Sequence, residues 1–317
     1  MKTTLVTAAG SAAASAVVER LHADGHRVVG CDIYPKAWNA ASGEADVFFQ
    51  AVPVADEEAY TAQLLEAVEK NGVSFLIPLT DVEVDVLCGA KPRFAALGCA
   101  VCTPETAAVR LCRDKRIMTE RLSQSGICRT IPTFSPYGYE PKAEDFPMML
   151  KPVSGRSSQG QTVVRTREAF FSALAARKDL IAQPYLAGDI YTVDVARDRM
   201  GHVQTLARRE LLRTVNGLGT TVRILPEHPL NDICARIAEH ADVVGVVNME
   251  FIGHETEYYF LEVNPRFSGG VGFSILAGVD FAALNIACHA GERIGPRAEA
   301  RAAVMTRKVS LMVTEEA

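Results

Sequence analysis

The sequence predicts an α/β domain with a Rossmann-like parallel sheet, followed by an α+β region. Up to about residue 103, short apolar runs alternate with amphipathic helical stretches, a rhythm that favours a parallel sheet. Beyond it, strand patterns follow one another with fewer helices between them. In one of these, Tyr259–Gly270, Glu262, Asn264 and Arg266 stand at alternate positions. In a strand such residues share a face.

The N-terminal elements read clearly. Thr3–Ala8 is a short apolar strand, Ala12–Asp24 an Ala-rich helix stopped by Gly25, and Arg27–Asp32 the next strand. Asp32 sits where a dinucleotide fold places its ribose carboxylate. The fingerprint G-x-G-x-x-G, however, would need glycines where Ala12 and Ser15 stand. Small residues there suit close helix–strand packing, so the expectation is a Rossmann-like fold without NAD. Glu57–Lys70 is a helix stopped by Asn71-Gly72, and Val73–Pro78 a buried strand ending in Leu79-Thr80-Asp81. Val82–Leu97 is a helix broken near Pro92, and Gly98–Cys102 closes the first domain. Thr103 then reads as an N-cap with Pro104 at the first helical position. The expected division is 1–103, 104–190 and 191–317.

Composition narrows the function. The 317 residues are 48% hydrophobic and 22% charged, with a formal net charge of −5. That balance argues against nucleic acid held by bulk electrostatics. No apolar run is long enough to span a bilayer. Eight cysteines are scattered along a chain that does not need disulfides. Met1 runs straight into a strand pattern rather than a secretory leader, so a reducing, cytoplasmic setting is expected. Cys99 and Cys102 form a C-x-x-C with no second pair at zinc-like spacing, and read as small buried or strand residues.

Chemistry concentrates in two places. Val246–Ile252 is a strand carrying Glu250, beside the strand carrying Glu262 and Asn264. Two carboxylates and an amide oxygen on neighbouring strands suit a hard cation such as Mg2+. Arg266 beside them suits a transferring phosphoryl group. A solvated polar face with a turn at Asn264-Pro265 is the competing reading. Phe146–Pro152 delivers Lys151 ahead of Val153–Gly160, a Gly/Ser loop between two strands. Such a loop can fold over phosphates; a plain hairpin is its alternative. Arg208, Arg209 and Arg213 crowd the strand Val203–Arg213 and are candidates for phosphate or a substrate carboxylate.

The order Lys115, Lys151 with its Gly/Ser loop, Gln183-Pro184-Tyr185-Leu186, Ala187-Gly188-Asp189, Glu250 and Glu262-x-Asn264-x-Arg266 resembles the ATP-grasp superfamily. Within it the chain looks most like the carbamoyl-phosphate-synthase-like and pyrrolysine-biosynthesis-ligase-like branch, over nearly its whole length. The resemblance implies an ATP-grasp fold after the Rossmann-like domain. It implies ATP phosphates on Lys115 and Lys151, and a lid loop of Gly155, Ser157, Ser158 and Gly160. The adenine site would be lined by Gln183, Tyr185 and Leu186, with Met249 beneath the base. Mg2+, or Mn2+ in its place, would be held by Glu250, Glu262 and Asn264. Arg266, with Lys151, Arg208 and Arg213, would stabilise the phosphoryl group. One departure stands out: Ile190 occupies the place of the family's ribose carboxylate, which leaves either Asp189 or Asp194 as a substitute or the ribose hydroxyls held less tightly. The implied activity is an ATP- and Mg2+-dependent carboxylate–amine ligase working through an acyl phosphate. Its partners would be a small carboxylate and an amine; a homodimer is only the general default for a soluble chain, not something the residues indicate. A catalytically weak or inactive nucleotide-binding regulator and an NAD-dependent oxidoreductase are the alternatives.

Overall fold

The computed structural model describes residues 2–155, 159–308 and 311–315. The first hundred residues build β1 (Thr3–Val6), α1 (Ala14–Ala23), β2 (Arg27–Asp32), α2 (Ala40–Glu44), β3 (Val47–Gln50), α3 (Glu57–Asn71), β4 (Phe75–Ile77), α4 (Asp81–Ala95) and β5 (Ala100–Val101). The five strands are parallel, in the order β3-β2-β1-β4-β5. All of β1 is buried, as a central parallel strand covered on both faces must be. The strand order reverses between β1 and β4, which opens a crevice at the carboxyl ends of the strands. Ser11–Ala13, Ile33 and Leu79–Asp81 lie at that edge. Gly10 lets the Asn39 side chain lie close to the backbone there, since a Cβ would come 2.6 Å from Asn39 Oδ1 and turn that side chain away.

The chain continues through α5 (Thr106–Arg113), α6 (Lys115–Ser125) and β6 (Arg129–Thr130). A small antiparallel sheet follows, made of β7 (Met148–Pro152), β8 (Thr162–Val164) and β9 (Leu180–Pro184), with α7 (Arg167–Ala176) inserted before β9. It has its own core, in which Phe170 and Leu174 pack on Met148, Leu150 and Val164. The large sheet holds β10 (Asp189–Arg197), β11 (Val203–Arg213), β12 (Gly219–Leu225), β13 (Gly245–His254), β14 (Glu257–Asn264) and β15 (Val304–Thr306). Its order is β15-β12-β11-β10-β13-β14-β6. One face packs Val193, Val195, Met249, Phe251 and Val263 against α6 and against α8 (Pro229–His240). At the other, Ala196, Leu206, Val222 and Val246 share one continuous core with α1, with Phe75 and Ile77 of β4, and with α9 (Val271–Leu276) and α10 (Phe281–Ala290). Gly272 brings α9 onto α1, since a Cβ there would lie 3.0 Å from that of Ala16.

Several elements differ from the sequence reading. α4 is not broken at Pro92 but runs through it. Proline has no N–H for the Cys88 carbonyl four residues back; Thr106 Oγ1 supplies the missing donor at 2.9 Å. The next helix starts at Thr106 rather than Pro104, with Glu105 rather than Thr103 at its N-cap. Asp114 caps α6, accepting the Ile117 N–H at 2.9 Å. The segment 104–190 divides: α5 and α6 place Cys112, Met118 and Leu122 in the core of the large sheet, while only β7–β9 and α7 form the small one. β3, α2 and β12 were not anticipated by any strong pattern. Asp32 accepts the Gly10 N–H at 2.7 Å and the Tyr34 N–H at 3.0 Å, which fixes the turn after β1. All eight cysteines are unpaired, and Cys99 and Cys102 are buried as expected. Among the described residues no helix is long and apolar enough to cross a membrane.

The Thr106 repair can be measured. Thr106→Val should leave the Cys88 carbonyl without a partner and cost about 1–2 kcal/mol in urea unfolding; Thr106→Ser should restore most of it.

Candidate active site

One large cleft, about 700 Å³, lies between the small sheet, the open face of the large sheet and the carboxyl edge of the first sheet. Its inner end is apolar, formed by Ile131, Met149, Tyr185, Leu186, Ile190 and Ile252. Met149 and Gln183 are register partners on β7 and β9, and the Gln183 amide donates to Thr133 Oγ1 at 2.7 Å. The Tyr185 N–H is already bonded to the Pro147 carbonyl at 3.0 Å. Gly188 makes the turn into β10 possible: a Cβ would fall 1.9 Å from the Gly253 carbonyl oxygen.

The middle of the cleft is charged. Glu250 and Glu262 face each other as register partners on β13 and β14. The next pair is Phe251 with Phe260, so Leu261 is an extra residue on β14. This bulge re-aims the strand. Leu261 therefore lines the cleft beside Glu262, although strict alternation would turn it to the core, where Val263 does lie. The two carboxylates are 20% and 19% exposed, enough to reach a bound ion. Burial and the neighbouring Glu262 raise the pKa of Glu250, and Arg213 only partly compensates. Burial works against the Glu262 charge too, but Lys115 and Lys151 outweigh it and hold that carboxyl below its usual range. Burial pulls Lys151 down to about 8 despite Glu262 and Glu250 nearby. Asn264 Nδ2 donates to Asn248 Oδ1 at 3.1 Å and to Glu262 Oε1 at 3.3 Å. Its own Oδ1 is left to accept. Two carboxylates and an amide oxygen form an all-oxygen donor set, and a divalent cation would relieve the repulsion between the two acids; the residues fit Mg2+.

Arginines ring this centre. Arg213 Nη2 reaches Glu250 Oε2 at 3.1 Å. Simple alternation would place Arg213 on the Arg209 face; irregularities after Glu210 turn it into the cleft. Arg208 is only 2% exposed and is shared among Asp194 (2.6 Å), Glu210 (3.1 Å) and Ser268 (2.9 Å). Arg266 lines the cleft past the end of β14 and pairs with Asp81 at 2.7 Å. Asn216–Gly219 and Phe267–Gly270 close the outer end, opposite Ser11–Ala13.

Two families describe the chain. "PylC-like, N-terminal domain" matches residues 4–102, and "ATP-grasp in the biosynthetic pathway with Ter operon" matches residues 176–314. This is an ATP-grasp protein. The chain is similar to a D-alanine–D-alanine ligase of Fusobacterium nucleatum, 27% identical over 171 residues covering 50% of this chain and 57% of that one. It is also similar to a carbamoyl phosphate synthase large chain of Agathobacter rectalis, 22% identical over 200 residues, 57% of this chain and 19% of that one. The chain thus spans little more than half of the first relative and about a fifth of the second. Among solved structures, biotin carboxylase from Campylobacter jejuni in a β,γ-ATP complex superposes with TM-score 0.78 at 17% identity, covering 94% of this chain and 73% of that one. N5-carboxyaminoimidazole synthetase from Staphylococcus aureus with ADP gives 0.72 at 16% identity, over 94% and 80% of the two chains. The ATP-grasp fold with a parallel-sheet domain before it is therefore established.

Within that fold several candidate residues lie elsewhere than the sequence suggested. Asp189 points to the opposite face of β10, where it pairs with Arg209 at 2.7 Å; neither lines the cleft. Asp194 is fully buried between Arg208 and Ser274, at 2.6 Å from each, and cannot serve a ribose. Met249 belongs to the core behind the sheet, as the neighbour of an inward-facing Glu250 must. Lys115 is not among the lining residues; its ammonium lies 3.2 Å from Glu262 Oε2. Gly155 and Gly160 stand outside the lining as well, and the Gly155 carbonyl accepts from Arg113 at 3.1 Å. Ser157 and Ser158 lie outside the described residues. Lys151, Gln183, Tyr185, Leu186, Arg208, Arg213, Glu250, Glu262, Asn264 and Arg266 all meet in the cleft. Asp81, Asn248 and Glu210 join them without having been anticipated. Asn248 carried a signal, standing two residues before Glu250.

The contact at Gly188 gives a direct test. Gly188→Ala should force β10 away from β13 and destabilise by about 1–3 kcal/mol or more, as overpacking does. Gly155→Ala, whose Cβ would meet nothing nearer than 3.6 Å, should leave thermal unfolding unchanged.

Proposed function

We propose that this ATP-grasp protein is an ATP- and Mg2+-dependent carboxylate–amine ligase. The observation that carries the reading is the register pairing of Glu250 with Glu262, with an available Asn264 oxygen, Lys151 and two arginines around it. Two curated relatives are named as a ligase and a synthase, which supports the class without naming a substrate.

The roles follow from position. The apolar end beside Gln183–Leu186 takes the base. Glu250, Glu262 and Asn264 would hold Mg2+, which when bound supplies positive charge against the phosphates. Lys151 adds a cation on the same side. Arg266 and Arg213 face the region where charge develops on the transferring phosphoryl group, so they stabilise it without reorganising. A substrate carboxylate attacks the γ-phosphorus, giving an acyl phosphate and ADP. An amine then attacks the acyl carbon, the C–N bond forms and phosphate leaves. The loops Asn216–Gly219 and Phe267–Gly270 and the edge of the first sheet choose the acid and the amine. The chain's own groups do little covalent work; placement is their contribution.

Ile190 in the cleft, with Asp189 turned outward, favours a second reading as a nucleotide-binding regulator. ATP binding without turnover across a broad panel of acids and amines would select it.

Two measurements follow. In an assay of Mg2+-dependent ADP release with acid and amine panels, Glu262→Ala should reduce turnover to background; an active variant would remove the metal assignment. Because Asp189, the one carboxylate of the segment 183–190, does not line the cleft, 2′-deoxy-ATP should bind within about threefold of ATP. A lost bond to a charged acceptor would instead cost about 1.5–3 kcal/mol.

A further inference from the structure

Arg266 does not stand alone at the end of β14. Its Nε and Nη2 both donate to Asp81 Oδ2, at 2.9 and 2.7 Å, and its Nη1 donates to the Phe267 carbonyl at 2.9 Å. Asp81 is the first residue of α4, on the opposite wall of the cleft and 185 positions away in sequence. It is 2% exposed. Its other oxygen, Oδ1, accepts from Arg113 Nη1 at 3.2 Å. Arg113 is itself fixed by Asp85, at 3.0 and 3.2 Å, and by the Gly155 carbonyl at 3.1 Å.

The consequence is a guanidinium with little freedom. A long side chain beyond the end of a strand would otherwise sample many rotamers, at a cost of up to about 2 kcal/mol when it is finally ordered. Here a planar fork is already locked by a buried carboxylate that is anchored in turn by a second arginine. Preorganised donors are worth most where charge develops late, because nothing has to reorient at that moment. Asp81 also stands at a helix N-terminus, where a carboxylate suits the dipole.

We propose that Asp81 is a positioning residue for phosphoryl transfer: from the N-terminal domain it fixes the Arg266 guanidinium in its reacting orientation. The N-terminal domain then does more than wall off the outer end of the cleft. The proposal rests on the ligase reading of the site.

The experiment uses the full chain and two probes, MgADP alone and MgADP with aluminium fluoride, a mimic of the phosphoryl group in flight. Affinities are measured by titration calorimetry. Asp81→Asn should bind MgADP within about twofold of wild type and lose about tenfold or more toward the aluminium fluoride complex. Asp81→Glu should recover part of that loss. On an Arg266→Ala background, Asp81→Asn should cost nothing further, since the two residues act as a unit. Arg266→Lys keeps the charge and leaves the buried carboxylate untouched, so it reads the same effect without the folding risk; it too should lose the fluoride complex selectively. Equal losses for both probes, additive losses in the double variant, or undiminished binding by Arg266→Lys would each overturn the proposal. Wild-type protein that takes up neither probe would overturn the ligase reading, and the proposal with it.

Discussion

Two like charges on adjacent strands, Glu250 and Glu262, are the constraint around which the rest of the site is arranged. Half-buried carboxylates at register positions repel one another, and burial makes each harder to ionise. The fold answers with unequal surroundings. Glu262 is given Lys115 and Lys151, while Glu250 is given Arg213 and stays the harder of the two to charge. The asymmetry is a matter of topology: α6 and β7 bring lysines to the β14 side, and the end of β11 brings an arginine to the β13 side. A divalent ion would complete what the cations only begin.

Among the described residues, the remaining cations that line the cleft are committed before any ligand arrives. Arg208 is divided between two acids and Arg266 is held by a third. Such pairs contribute little to stability relative to apolar packing, because each ion loses its water. Their value lies in fixed geometry. The same logic explains the glycines at the inner end, where the strands must touch backbone to backbone for the cleft to have a floor.

Much of this was legible in period two. Glu262 and Asn264 share a face, and Val263 lies behind them, as alternation requires. Alternation also held the answer for Met249 and Asp189, which neighbour inward-facing residues and must point away. Reading them by proximity to a motif set that parity aside. Leu261 and Arg213 could not be read this way, because bulges shift the parity where each stands. The parallel sheet was visible in its apolar runs, yet Pro92 looked like a break because its repair comes from Thr106, beyond the helix itself. Asp81 left no trace in the sequence. Its partner is 185 positions away, and only the folded chain brings the two walls together.

The cores also decide which parts are held together. The first sheet, α1, α9, α10 and one face of the large sheet share a single apolar core, whereas the small sheet has a core of its own. Shearing the first two past each other would expose that common interior, at roughly 25 cal/mol for each Å² uncovered. The two sides of the cleft therefore rest on different interiors: Glu250 and Glu262, with Arg266 just past the end of β14, stand on the sheet that shares its core with the first, and Lys151 on the small sheet with a core of its own.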